Sequence, residues 1–308
     1  MGDMIERVLF GAGFGLVLVG ALSCIYPLRW LRIRNRAVAL LSVAAGFFLV
    51  AIAARLIDSY LVYFGFSLFL AGLISLVRPL HFLYIQTRRS ASIVCGLGLL
   101  LALGPLLVPY RDKEATNRVT KMDDWMPRWQ VGERHVLQIA APPARVFAAI
   151  HEVRADEILL FRTLMAIRRC GKTGPESILN APEQKPLLDV ATQTTFIYLE
   201  DESPRELVLG TVIAAPPEMR GSGHLKADLF RQTLRPGVVL ATMNFLVTPG
   251  ENGGSRVATE TRVYANGRAA VRRFGVYWRL IHPGSDIIRR MWLRAIARRA
   301  EEKRFVRR

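Results

Sequence analysis

Cysteine is nearly absent from this chain of 308 residues: Cys24, Cys95 and Cys170 stand alone, with no C-x-x-C spacing. That excludes a disulfide framework and a cysteine zinc site. The five histidines, His81, His135, His151, His224 and His282, show no H-x-x-x-H or H-E-x-x-H pattern, so no metal centre is expected. No phosphate loop or dinucleotide fingerprint occurs, and no cofactor is expected. Gly11-Ala-Gly-Phe-Gly15 falls inside an apolar run, where a phosphate cradle has no place. Gly221-Ser-Gly-His224 lacks the full G-x-S-x-G of a nucleophile turn. No catalytic residue is nominated on these grounds. Acids are also scarce, 25 against 42 Lys and Arg, giving a formal charge of +17. Much of the excess sits in Arg268–Arg308. Its tryptophans fall on the apolar face of a helix, without the exposed aromatics of a strand-binding surface, so no nucleic-acid partner is expected.

What is abundant is apolar sequence, 51% of the chain. Four runs, Val8–Leu28, Ala37–Leu56, Tyr60–Val77 and Ala91–Val108, each approach the roughly 20 residues that span a bilayer. None has a central charge, which excludes an ion pathway or proton relay. The runs form a tandem repeat at an offset of 52: Gly20, Ser23, Pro27, Leu28, Leu31 and Ile33 fall on Gly72, Ser75, Pro79, Leu80, Leu83 and Ile85, Trp30 on Phe82, and Gly46 on Gly98. Two hairpins so related point the same way. Each places a basic loop after its first helix, Arg29, Arg32, Arg34 and Arg36 in one and Arg78, Arg88 and Arg89 in the other. The positive-inside rule puts these loops in the cytoplasm. The expectation is a multi-pass protein of the inner (plasma) membrane with an extracytoplasmic C-terminal domain. Tyr26, Trp30, Phe82, Tyr84 and Tyr110 suit interfacial anchors, and Gly11-x-x-x-Gly15 suits close helix packing.

Residues 1–110 are thus read as a four-helix transmembrane region, 111–130 as a linker without periodicity, and 131–308 as one further domain. That domain opens with a strand, Glu133–Ile139, and helices at Ala144–Ile150 and Asp156–Arg169. A loop, Gly171–Lys185, follows. Apolar runs then predict strands at Thr194–Leu199, Glu206–Ile213, Lys226–Gln232, Val238–Val247 and Arg256–Tyr264. The last element is a long helix from Ala269 to about Lys303, predicted to bend at Pro283-Gly284 and restart with Ser285 as cap. Phe274, Trp278, Ile281, Ile288, Trp292 and Ile296 recur on it at helical spacing. The opposite face carries Arg290, Arg294 and Arg298, predicted to meet anionic lipid.

This order resembles the helix-grip fold of the START-like (SRPBCC) superfamily over about residues 133–302. Ala141-Pro-Pro-Ala-Arg-Val-Phe-Ala-Ala-Ile150 is similar to that family's first strand-to-helix segment. Arg205–Gly210, Thr259–Val263 and Phe274–Arg290 resemble an uncharacterised bacterial, polyketide-cyclase-like subgroup. The resemblance implies an α+β domain, a curved antiparallel sheet around the C-terminal helix, beside the all-α membrane region. It also implies a cavity for an apolar ligand.

Alternation along strands nominates Phe196 and Tyr198, Leu207 and Leu209, and Met243 and Phe245 as cavity residues. The helix adds Phe274, Trp278 and Ile281. Glu260 and Arg262 are polar candidates, expected to pair with each other or with Arg273. The function expected is a membrane-anchored domain binding a hydrophobic molecule, a lipid or lipid-like metabolite. The partners expected are that molecule and the bilayer itself; the sequence does not indicate an oligomeric state. A rival reading is a cyclase or hydrolase using Glu260, Tyr198 or Tyr277. A third is a structural or sensory module with a filled core and no ligand.

Overall fold

The computed structural model describes residues 2–25, 36–53, 57–80, 85–172, 174–216 and 227–302. The chain divides into two compact units, Met1–Val108 and Pro109–Arg308. Tyr26, Arg29, Trp30, Arg32, Arg34, His81, Phe82, Tyr84 and the Gly221–His224 turn lie outside the described residues. So does the loop half of the repeat motif, Pro27–Ile33 in its first copy.

The first unit is four helices, α1 (Gly2–Ile25), α2 (Arg36–Ala53), α3 (Ile57–Val77) and α4 (Arg88–Leu107). α3 and α4 are long and apolar enough to cross a membrane, each with a mean hydropathy of 2.1. The described apolar stretches of α1 and α2 are shorter, Gly11–Gly20 and Val38–Leu49. The helices pair as hairpins, and the contacts repeat at the offset read from the sequence. A Cβ on Gly20 would fall 2.7 Å from the Ala39 carbonyl and from Val43; one on Gly72 would fall 3.0 Å from the Ala91 carbonyl and 2.7 Å from Cys95. A Cβ on Gly46 would meet the Gly13 carbonyl at 2.6 Å, and one on Gly98 the Gly65 carbonyl at 2.7 Å. Ser23 and Ser75 are both buried, and each hydroxyl donates to a carbonyl four residues back, Val19 and Ala71. Every partner shifts by the same interval, so the two hairpins are built on one plan. Small residues at these crossings let the backbones touch. Gly11 and Gly15 do not serve this purpose: a Cβ on either meets nothing within 4 Å. The α1 contact face carries Gly13 and Gly20 instead.

The second unit is an α+β domain. The segment Arg111–Gln130, expected as a linker, is part of it. It forms β1 (Lys113–Glu114), α5 (Lys121–Trp125) and β2 (Arg128–Trp129), with β1 paired to β2. α5 starts because Thr120 and Asp123 make a capping box. Its first turn is received by the buried Glu206 carboxylate, which accepts from the Lys121 amide at 2.8 Å. Met122 is fully buried beneath it.

The main sheet has five antiparallel strands in the order β3 (Val131–Ile139), β7 (Ser255–Ala265), β6 (Val239–Pro249), β5 (Glu206–Ala214) and β4 (Phe196–Glu202). Between β3 and β4 come α6 (Pro143–Glu152), α7 (Phe161–Arg168) and α8 (Leu187–Thr194). The helix expected over Asp156–Arg169 is interrupted: a short 3-10 turn ends before Leu160, whose φ of 63° stops the run, and α7 begins after it. α8 begins at Leu187, just beyond the expected loop and ahead of the first expected strand of the run. The strand expected at Lys226–Gln232 is absent from the described part, which forms 3-10 turns at Ala227–Leu229 and Arg231–Thr233. Phe230 there is drawn fully into the core, so burial and not pairing accounts for its apolar character.

α9 (Arg268–Glu302) closes the fold as one helix of 35 residues, with Pro283 inside it. The expected restart does not occur. Proline removes one helical hydrogen bond, a cost of about 3 kcal/mol, and packing on both sides carries the helix through. Ser285 is accordingly not a cap; its hydroxyl donates to Glu133 on β3. One sheet face meets α6 and α9. The other meets α5, where Met122, Met126, Leu199, Val208, Phe230, Val238 and Leu240 form a separate core.

Candidate functional site

The register fixes which side chains face α9. Glu133, Thr261, Met243, Leu209 and Tyr198 lie side by side across β3, β7, β6, β5 and β4. His135, Thr259, Phe245 and Leu207 form the next row. The six strand residues predicted to line a cavity therefore share one face of the sheet. They do not share one environment. Leu207, Leu209, Met243 and Phe245 are fully or almost fully buried, and Phe245 meets Trp292 edge-on at 5.2 Å. Phe196 is half-buried at the margin of this core. Tyr198 is 38% exposed and stacks near His151; burial of its ring raises its hydroxyl pKa. Phe274, Trp278 and Ile281 belong to a second apolar cluster with Val131, Val239 and Val263.

Between these two clusters runs a seam of polar groups. β3 supplies Glu133 and His135. α9 supplies His282, Ser285, Asp286 and Arg289, which fall on one helix face at spacings of three and four. Glu133, His135, His282 and Asp286 are each under a tenth exposed. The Ser285 hydroxyl donates to Glu133 Oε1 at 2.5 Å. Arg289 Nε lies 3.6 Å from the same oxygen. His282 Nε2 stands 3.6 Å from Glu133 Oε2, and His135 Nε2 stands 3.8 Å from that oxygen and 3.6 Å from Asp286 Oδ1. Burial alone would raise the Glu133 carboxyl pKa. The surrounding His135, Arg289, Ser285 and His282 outweigh it and hold the group below its ordinary value. Burial lowers the Arg289 guanidinium pKa, against the opposing pull of Glu133. Arg289 also contacts the Met243 sulfur.

This seam is not fully satisfied. Glu133 Oε2, His135 Nε2, Thr261 Oγ1 and the Trp292 indole N–H are buried without a hydrogen-bond partner. Buried polar groups are nearly always paired, because leaving one unpaired costs about 1–3 kcal/mol. Four of the nine such atoms among the described residues lie in the layer between sheet and α9. Among the described residues no group of three or more His, Cys, Asp and Glu is arranged to hold a metal ion. Arg289 already supplies positive charge beside Glu133.

The polar candidates from the sequence sit elsewhere. Arg262 lies on the opposite sheet face, bonded to Glu260 at 2.6 Å and to Asp123 at 2.7 Å, with its guanidinium 4.0 Å from the Trp129 ring centre. Burial raises the Asp123 carboxyl pKa, but bonds from Thr120, Arg262 and Val119 bring it below its ordinary value. Glu260 and Arg262 fasten α5 to the sheet and do not face α9, and Arg273 is not their partner in these contacts. The Tyr277 hydroxyl accepts from Arg168 Nε at 2.9 Å. Arg290, Arg294 and Arg298 are exposed as predicted; Arg290 is held by Asp286 at 2.9 Å, and Arg298 donates to the Glu157 carbonyl. A concavity of about 610 Å³ opens near the end of α9, lined by Asp156, Glu157, Leu159, Ala295, Arg298, Arg299 and Glu302. None of the nine predicted cavity residues lines it.

The sequence reading missed Glu133, His135, His282, Asp286 and Arg289. A signal was present. Glu133 and His135 alternate on a strand, and His282, Ser285 and Arg289 interrupt the apolar stripe between Trp278 and Trp292. The histidines lack metal-ligand spacing, which is why a spacing search passed them over.

The class defined by these features is an α+β domain with a long C-terminal helix across a five-stranded antiparallel sheet, joined to helices that include two of membrane-spanning length. No family model, no curated protein and no solved structure matches this chain.

Proposed function

We propose that the chain is a membrane-anchored, START-like helix-grip domain that binds a lipid or lipid-like metabolite between its sheet and α9. The observation that carries this reading is the buried polar seam of Glu133, His135, His282 and Arg289 in that one layer, where Glu133 Oε2, His135 Nε2, Thr261 Oγ1 and the Trp292 indole N–H make no hydrogen bond. A ligand with a polar head satisfies them, and its apolar body replaces side-chain contacts around Phe245, Met243 and Trp278. Apolar packing otherwise fills this layer, so binding proceeds with a shift of α9 or of the side chains beneath it. The repeated hairpins support a four-span anchor, with both basic loops in the cytoplasm and the domain on the opposite side. Anchoring keeps the site close to its ligand source and raises effective concentration.

A second reading is favoured by the same seam. A buried carboxylate beside two imidazoles is a donor–acceptor set suited to general acid–base chemistry. A cyclase or hydrolase would use Glu133 and His135, in place of Glu260, Tyr198 or Tyr277. Photo-crosslinking of the full chain in lipid with a diazirine fatty acid separates binding from anchoring. Label on β6 and α9, around Met243, Phe245 and Trp278, supports the proposal. Label confined to α1–α4 refutes it.

A further inference from the structure

The stretch between α6 and α8 carries apolar side chains that the fold leaves uncovered. Leu159, Leu160 and Ile167 are 62%, 49% and 67% exposed. On α7, Phe161 and Met165 point inward and are buried. Leu160 stands just before the helix and Ile167 lies on it, and both are exposed. Single exposed apolar residues are ordinary, but three on one tip are not. Leu160 is held at φ 63°, ψ 0°, a left-handed conformation that branched side chains seldom adopt. Glycine or asparagine would fit the backbone there at less cost, and Leu160 makes no side-chain cap to α7. The fold thus keeps a large apolar side chain at a position where local conformation disfavours it.

The surroundings are basic. Arg162, Arg168, Arg169 and Lys172 follow in sequence, and Arg298 of α9 reaches the Glu157 carbonyl at 2.6 Å. The acids of the tip have basic partners. Asp156 pairs with Arg154, Glu157 with Arg154 and Arg299, and Glu183 with Arg162. Arg162 is shared with Glu183 and Arg168 with the Tyr277 hydroxyl, but basic groups outnumber acids around these apolar side chains, which matches the boundary of an anionic bilayer, where leucine enters the acyl edge and guanidinium groups meet phosphates.

We infer that Leu159, Leu160 and Ile167, with Arg162 and Arg168, form a docking surface for an anionic membrane. It presents the α7 side of the domain to lipid. This inference rests on the reading that the chain is held at a membrane.

The test is hydrogen–deuterium exchange of the full chain in nanodiscs of phosphatidylcholine alone and of phosphatidylcholine with phosphatidylserine. The expected result is slower exchange across Leu159–Ile167 in the anionic discs only. The difference is lost in Leu159→Ser/Leu160→Ser and reduced in Arg162→Gln/Arg168→Gln, while exchange in β6 stays unchanged. Equal exchange in both discs overturns the inference, as does a difference that survives the leucine substitutions. Protection in neutral discs that grows with protein concentration points to a second copy as the occupant and also overturns it. Release of the chain from discs by alkaline carbonate refutes the membrane anchor instead. Co-sedimentation with vesicles of the same anionic composition then reads the tip alone, and absence of binding overturns it.

Discussion

Ser285 on α9 donates its hydroxyl to Glu133 on β3 across 2.5 Å, joining residues 152 positions apart in the chain. This bond ties the closing helix to the edge strand at the centre of the buried seam. Glu133 is held below its ordinary pKa there. A carboxyl depressed in the folded state stabilises the protein above its unfolded pKa, and that contribution is lost as pH falls through the folded value. The wild-type chain therefore loses stability with acidification below the ordinary carboxylate range. Glu133→Gln removes this part of the pH dependence. It also leaves Arg289 buried without its counter-charge, a loss on the order of 3–5 kcal/mol. Thermal melts of both proteins in detergent, from neutral pH into the acid range, check both statements. A parallel pH profile in the variant would contradict the role given to Glu133.

The segment before β3 is structural. Met122→Ala empties a fully buried position in the core on the far side of the sheet. The expected loss is about 2–5 kcal/mol, measured by denaturant unfolding of the full chain. A change near zero would mean that Arg111–Gln130 behaves as the linker first expected from its sequence.

The repeat makes paired predictions in the first unit. Gly98→Leu drives side-chain atoms into the Phe69 backbone, where even a Cβ would fall 2.3 Å from the amide nitrogen. Gly46→Leu meets the equivalent obstacle at Gly13 and Val17. Each is expected to destabilise its hairpin by about 1–3 kcal/mol or more. Gly96→Ala, where a Cβ meets nothing, is expected to be neutral. Thermal aggregation of detergent-solubilised variants ranks them.

Much of this fold was legible in the sequence. The strands at Glu206–Ile213, Val238–Val247 and Arg256–Tyr264 stand out as apolar runs between turn signals, because both faces of the inner strands are covered, one by α6 and α9 and the other by α5 and its core. The hairpin repeat was legible because its helix crossings tolerate only small residues. What escaped depends on contacts remote in sequence. α5 is five residues long, and its capping box, Thr120-Lys-Met-Asp123, is a weak local signal made decisive by Glu206, which lies 85 positions beyond Lys121. Pro283 signals a break, but packing around it overrides that local preference. Glu260 and Arg262 were judged by strand alternation without knowing which face meets α9. His135 and His282 come together only when β3 and α9 pack.

The central claim is that the layer between sheet and α9 holds a ligand through Glu133, His135, Thr261 and Trp292. Native mass spectrometry of the full chain, released from lipid-rich membranes, tests it most directly when wild type is compared with Glu133→Gln/Thr261→Val. A melting transition retained at neutral pH confirms that the variant is folded. The account predicts a reproducible adduct of lipid-like mass on the wild type that is lost from the variant, while lipids bound to the helices of the first unit remain on both. The same adducts on both proteins, or a bare wild-type mass, would contradict it.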